Sequence, residues 1–256
     1  MERTFRLTLE YDGAGFEGWQ IQPEGRRTVQ GALEAALARV LGRRVRVVSS
    51  SRTDSGVHAE GLVASLRAET ALEPDRLRRA LNGLLPTDVA VLDAALAPDG
   101  FHARRDAVSK LYRYRIWNGR SRSPLRARRS LCLQRPLDLA AMGRAARDLA
   151  GSHDFAAFQA AGSEVGSSER TLLRLDVEGA PGAVVDLHFE GTGFLRHMVR
   201  ILSGTLIQVG CGRRDPEGMP ALLASRDRRR AGPTAPAHPL SLVRVTYGDS
   251  IAESSS

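Results

Sequence analysis

Strand-like and helix-like patterns follow one another in the order β-α-β-β-α-β twice along this chain, and few folds accommodate that grammar. In the first pass Phe5, Leu7, Leu9 and Tyr11 alternate with Arg6, Thr8 and Glu10, the pattern of a half-buried strand. Thr28 is placed to cap a helix whose Val29, Leu33, Leu37 and Leu41 share one face. Arg44 to Val48 and Gly61 to Arg67 read as strands. Pro74 opens a second helix with Leu77, Leu81 and Leu84 inward, and Val89 to Leu92 reads as a short last strand. The second pass carries longer insertions. Val108 to Trp117 is a strand, Asp138 caps a helix with Leu139, Met142, Ala146 and Leu149, and Leu172 to Glu178 and Ala183 to Phe189 are strands. Phe194 to Val209 reads as an apolar helix, Pro216 to Ala224 as an extra helix capped by Asp215, and Leu242 to Tyr247 as the closing strand. The expectation is an α+β protein of two ferredoxin-like halves, residues 1–105 and 106–247, followed by a flexible tail, 248–256.

With 256 residues, 42% of them hydrophobic and 26% charged, the chain suits such a globular core. No apolar run approaches the roughly 20 residues needed to cross a bilayer. The N-terminus enters a strand pattern directly, without the profile of a signal peptide. Two cysteines, Cys132 and Cys211, are too few for a disulfide framework or a Cys-rich zinc site. A cytoplasmic protein is expected. The formal charge of +8 favours a polyanionic partner. Because Lys110 is the only lysine among the 37 basic residues, arginine content by itself reflects a compositional bias, and distribution is more informative. From Ala107 to Leu137 there is no acidic residue, whereas Lys110, Arg113, Arg115, Arg120, Arg122, Arg126, Arg128, Arg129 and Arg135 all fall there. A solvated face normally intersperses both signs, so this stretch points to nucleic-acid contact.

Gly13-Ala14-Gly15-Phe16-Glu17-Gly18 follows a strand and matches the spacing of a dinucleotide fingerprint. That site needs a helix beginning at the glycines, and Trp19 to Gly25, with Pro23, opposes one. A turn of permissive glycines is the better reading. The six histidines are scattered without metal-ligand spacing, and neither a nucleophile elbow nor a phosphate-binding lysine loop occurs, so no cofactor and no metal are expected. Arg52-Thr53-Asp54-Ser55-Gly56-Val57-His58 is a polar loop between two strands with one carboxylate beside an arginine. From the residue types, Asp54 is either a turn residue bonding backbone amides or a catalytic group on a rigid scaffold. Tyr112 and Tyr114 alternate with Arg113 and Arg115 in the most basic segment, where a tyrosine can stack on a base, move a proton, or simply pack in the core. Gly193 to Arg200 reads as a helix start with Arg196 and Arg200 one turn apart, facing either a cleft or solvent.

Together these blocks resemble the TruA-type tRNA pseudouridine synthases. The resemblance rests on Glu10-Tyr11-Asp12-Gly13, Gly18-Trp19-Gln20, Arg52 through Ala59, Asn82 through Pro86, Phe101 through Arg104, Lys110 through Tyr114, Phe194 through Arg200 and Ala231 through Ala237. They occur in family order over nearly the whole chain. The resemblance implies two ferredoxin-like halves meeting at a central sheet and cleft, a homodimer, no cofactor or metal, and tRNA positions 38–40 in the anticodon stem-loop as target. It further implies Asp54 as the catalytic aspartate, Arg52 as the residue displacing the target base, Tyr112 in contact with the flipped uridine, and Arg200 as the basic partner of the aspartate. Two departures are Ser51, where glycine is usual, and Ser241, near a position where the family often has an aromatic residue. The rival expectation is a tandem RNA-binding protein without catalysis, since ferredoxin-like halves also build RNA-recognition domains. The aromatic signature of those domains is missing, and 5% aromatics is thin for sheet stacking.

Overall fold

The computed structural model describes residues 2–23, 25–162 and 166–248. They group into two units, one holding the residues up to Val108 with those from Leu242 onward, the other Ser109–Ser241. Beyond Gly248 the expected flexible tail lies outside the described residues.

The first unit contains β1 (Glu2–Tyr11), α1 (Val29–Leu41), β2 (Val48–Ser49), β3 (His58–Glu69), α2 (Pro74–Asn82) and β4 (Val89–Leu96). Strand β1 lies between β3 and β4, antiparallel to both, and β2 pairs with β3 through Val48 opposite Ser65. The order β4-β1-β3-β2 is that of the split β-α-β-β-α-β arrangement. Alternation in β1 places Phe5, Leu7 and Leu9 in the core with Leu33 and Leu37 of α1 and Leu77 and Leu81 of α2, all fully buried. Burying each such side chain contributes about 1.5–3 kcal/mol relative to exposure. The Thr28 hydroxyl accepts from the Gly31 amide at 3.2 Å, as its position predicts, and α1 ends on Gly42 in the left-handed region, φ 70°. The strand expected over 44–48 shrinks to β2. The Val47 amide donates to Glu34 Oε1 (3.0 Å) and its carbonyl accepts from Gln30 Nε2 (3.3 Å), so side chains of α1 occupy the bonds a neighbouring strand would need.

The second unit contains most of β5 (Ala107–Trp117), then β6 (Leu131–Cys132), α3 (Leu139–Leu149), β7 (Gly151–Asp154), β8 (Glu169–Gly179), β9 (Val184–Gly191), α4 (Met198–Gly210) and α5 (Met219–Ser225). Strand β9 lies antiparallel between β5 and β8, and β7 adds to the outer edge of β8. These three central strands fill the first three places of the same plan. Asp138 caps α3 through the Ala141 amide (2.9 Å), and Asp215 caps a short 3-10 turn before α5 through the Glu217 amide (3.1 Å). The last strand, β10 (Leu240–Tyr247), lies beside β3, which is why its residues from Leu242 group with the first unit although their sequence position suggests the second half. Among the described residues no helix is long and apolar enough to cross a membrane.

Candidate active site

The loop carrying Asp54 joins β2 to β3 in the first unit, and a second loop from the end of β1 holds it in place. The Trp19 amide donates to the Thr53 carbonyl (3.1 Å), and the Gly56 amide (3.3 Å) and Ser55 hydroxyl (3.2 Å) both donate to the Phe16 carbonyl. Inside the loop the Val57 amide donates to the Asp54 carbonyl at 3.1 Å, and Gly56 takes a positive φ of 79° to complete the turn. Beneath it the Tyr11 and Thr53 hydroxyls share a buried hydrogen bond of 2.7 Å. Thr53 and His58 are buried, Arg52 and Ser55 are exposed, and Asp54 between them is half-buried. A carboxylate is thus offered at the rim of a turn fixed on both flanks, the arrangement in which loop residues carry chemistry.

Those anchors also explain the glycines that imitate a dinucleotide fingerprint. A Cβ on Gly13 would lie 2.0 Å from the Val57 carbonyl oxygen, and one on Gly18, at φ +90°, would lie 2.7 Å from the Thr53 carbonyl oxygen. Absence of a side chain lets the two backbones touch. His58, the first residue of β3, joins the same contact: its Nδ1 is 3.1 Å from both the Gly13 amide and Asp12 Oδ1. One ring nitrogen serves one of these at a time, accepting from the amide when bare and donating to the carboxylate when protonated. Ser51 departs from the family pattern without strain, since His197 and Arg226 are the non-glycine residues with positive φ among those described.

Tyr112 and Arg200 stand in the second unit. Tyr112 on β5 faces Phe189 of β9 in register, and its ring meets Phe194 edge-on, centroids 5.1 Å apart. It is 6% exposed, and Tyr114 two residues on is fully buried. Burial drives the Tyr114 phenol well above its usual range, and the positive charge of Arg200 opposes that shift. Arg200 belongs to the first turn of α4 and is clamped by the segment 231–237. Its Nε donates to the Ala235 carbonyl (2.8 Å) while the Ala235 amide donates to the Arg200 carbonyl (3.1 Å). The same segment lies against Gly204 of α4, where a Cβ would come within 1.9 Å of the Pro233 carbonyl oxygen. Thr205 Oγ1 accepts from the Gly232 amide at 2.9 Å. Positioning of Arg200 by this Ala-Gly-Pro-Thr block is a long-range effect that no local pattern announces.

Arg196 corrects the expected geometry. The helix begins at Met198 and not at Phe194, because His197 adopts a left-handed φ of 57° and interrupts it. Arg196 therefore precedes α4, and its guanidinium donates to the Ala161 and Gly162 carbonyls at 3.1 and 3.2 Å. The acid-free stretch also divides in two. On β5 Arg115 makes a bidentate pair with Asp186 of β9 (2.8 and 2.7 Å), so this cation holds the sheet together. Beyond Trp117, by contrast, Arg120, Arg122, Arg126, Arg128 and Arg129 are all exposed on one loop.

Comparison with known proteins bears on what these parts do. A family model described as tRNA pseudouridine synthase matches residues 8–105 and 145–248. The chain is 48% identical over 244 residues to the tRNA pseudouridine synthase A of Myxococcus xanthus, covering 95% of this chain and 92% of that protein. It is 49% identical over 243 residues to the protein of the same name from Syntrophotalea carbinolica, covering 94% and 95% respectively. A third protein so named, from Moorella thermoacetica, is 47% identical over 244 residues, with 94% of this chain and 98% of that one covered.

Proposed function

We propose, because the chain belongs to the tRNA pseudouridine synthase family, that it converts uridine to pseudouridine at positions 38–40 of the tRNA anticodon stem-loop with Asp54 as the catalytic carboxylate. The observation that supports the residue assignment is the anchoring of the Asp54 loop to Phe16 and Trp19 by backbone bonds on both flanks of a half-buried carboxylate. Preorganisation of this kind is what a charge-stabilising group requires.

The reaction is an isomerisation. The bond from C1′ to N1 breaks, the base turns, a bond from C1′ to C5 forms, the C5 proton leaves, and N1 gains a proton. An ionised Asp54 serves the first step by attacking C1′ or by stabilising positive charge there, and serves the last by assisting proton removal. Arg200 is the counter-charge in this reading. Tyr112 contacts the extruded base, either stacking on it or relaying the C5 proton. Extrusion costs a few kcal/mol, and Arg52, exposed and two residues before Asp54, fills the space the base vacates. The working form in this reading is a homodimer, and the exposed arginines after Trp117 contact the tRNA backbone.

Incubation with an unmodified tRNA transcript, followed by mapping of pseudouridine, tests both the activity and the position. Asp54→Asn is expected to slow product formation by about a hundredfold or more while tRNA affinity stays near that of the parent. A near-normal rate in that variant refutes the assignment of Asp54.

A further inference from the structure

Between β5 and β6 the chain forms a loop over residues 118–130 whose tip is apolar. Leu125 is 97% exposed, against 55% for Leu173, the next most exposed of the large hydrophobic residues described. It is flanked by Arg120, Arg122, Arg126, Arg128 and Arg129, all exposed, and no carboxylate occurs in the sequence from Ala107 to Leu137.

The loop is built to hold its shape. The Arg126 guanidinium lies over the Trp117 ring, 4.6 Å from its centroid, and the Trp117 indole donates to the Ser121 carbonyl at 2.8 Å. Successive turns close through the Arg126 amide to the Ser123 carbonyl (3.1 Å) and the Arg129 amide to the Arg126 carbonyl (3.0 Å). The Ser130 hydroxyl also donates to the Arg126 carbonyl at 2.8 Å. At the base, a Cβ on Gly119 would lie 2.3 Å from the Trp117 ring, so only glycine lets the chain fold over the indole. A leucine held out in water by a preformed loop loses little conformational freedom when it is covered.

We infer that Leu125 is an apolar wedge that packs on unstacked bases of the RNA substrate while the surrounding arginines grip its phosphates. The inference rests on the tRNA reading above. Two chemistries meet at one tip, and nucleic acid is the partner that supplies both, apolar base faces beside a polyanionic backbone. In a two-fold contact this tip would meet another patch of the second copy, which would have to present carboxylates to five arginines that have none in their own segment, whereas a nucleic-acid backbone carries that charge throughout. That charge pattern favours RNA.

The test uses the full chain and a fluorescently labelled, unmodified tRNA transcript, with Kd measured across a salt series. Leu125→Ser is expected to raise Kd about tenfold, the cost of one uncovered aliphatic side chain, with the salt slope unchanged. Leu125→Met is expected to bind like the parent. The double variant Arg120→Ala, Arg122→Ala is expected to lower the salt slope by about two, one for each phosphate no longer neutralised. Thermal stability of Leu125→Ser should equal that of the parent, because the side chain packs on nothing. Parental affinity in Leu125→Ser overturns the wedge. So does a change in its sedimentation, which would assign the tip to contact between copies. Parent protein that binds tRNA through Leu125 yet forms no pseudouridine would sink the functional reading and leave the wedge standing.

Discussion

Replacing Gly13 with alanine tests whether the geometry of the Asp54 loop depends on bare backbone contact. A Cβ there would lie 2.0 Å from the Val57 carbonyl oxygen, so reaching ordinary contact at 3.4 Å requires about 1.4 Å of separation. The obstacle is main chain, and no flexible side-chain end can swing away. Both sides of the contact are tied down. The Asp12 amide donates to the Asp88 carbonyl (3.0 Å) and the Phe16 amide to the Gly13 carbonyl (3.0 Å) on one side, while Thr53 and Asp54 accept from Trp19 and Val57 on the other. Overpacking of this sort costs about 1–3 kcal/mol of stability. If half or more of the displacement reaches Asp54, three residues from Val57, the misplacement approaches 1 Å and the rate falls by about a hundredfold. Single-turnover pseudouridine formation and urea unfolding read the two effects separately, with Gly143→Ala as the control. Residue 143 has open space around it in α3, and alanine there should stabilise by about 0.5–1 kcal/mol. Parental rate and parental stability together in Gly13→Ala would refute the packing argument.

Two further perturbations separate burial from charge. The Tyr114 hydroxyl is buried without a hydrogen-bond partner among the described residues, so Tyr114→Phe should leave stability unchanged or raise it by up to about 1–3 kcal/mol in urea unfolding. Burial also raises the Tyr114 pKa, so its contribution is complete below the unfolded tyrosine pKa of about 10 and is lost as pH rises beyond it. Tyr114→Phe should therefore flatten the alkaline fall in stability, and an unaltered alkaline limb would contradict that. The Asp154 carboxyl is held below its ordinary range by the Ser168 hydroxyl first, with the Ala156 amide and the charge of Arg226 adding to it against the effect of burial. Its contribution is present above the unfolded carboxyl value of about 3.9 and is lost as pH falls through the lowered one. Asp154→Asn should shrink the acid limb of a stability–pH curve, and a limb identical to the parent's would show the carboxylate is not part of it.

Local physics was legible in the residues. The alternation of β1, the apolar face of α1, Leu77 and Leu81 of α2, and the caps at Thr28 and Asp138 depend on neighbours a few positions away and match the structure. Leu84, by contrast, lies past the end of α2, and Asp215 caps the 3-10 turn before α5 and not the helix itself. Family membership was legible too, because the motif blocks lie in order along the chain. Less legible were elements without a local signature. Strands β6 and β7 span two and four residues, too few to show a period. The left-handed turn at His197 that delays α4 is uncommon for any non-glycine residue, and although histidine takes it more readily than most, nothing in the flanking residues marks it.

What the chain determined by itself is which residue types alternate, cap and cluster, since strand and helix periods are written over neighbouring positions. Only the tertiary structure decided their meaning wherever the partner lies far along the chain. Asp186 turns Arg115 from a candidate phosphate contact into a sheet cross-link, 71 positions away. Val57 makes Gly13 a spacer beneath the Asp54 loop, and Ala235 fixes Arg200. Hydrogen bonds and steric contacts act over about 3 Å of space, and only folding brings such distant positions that close.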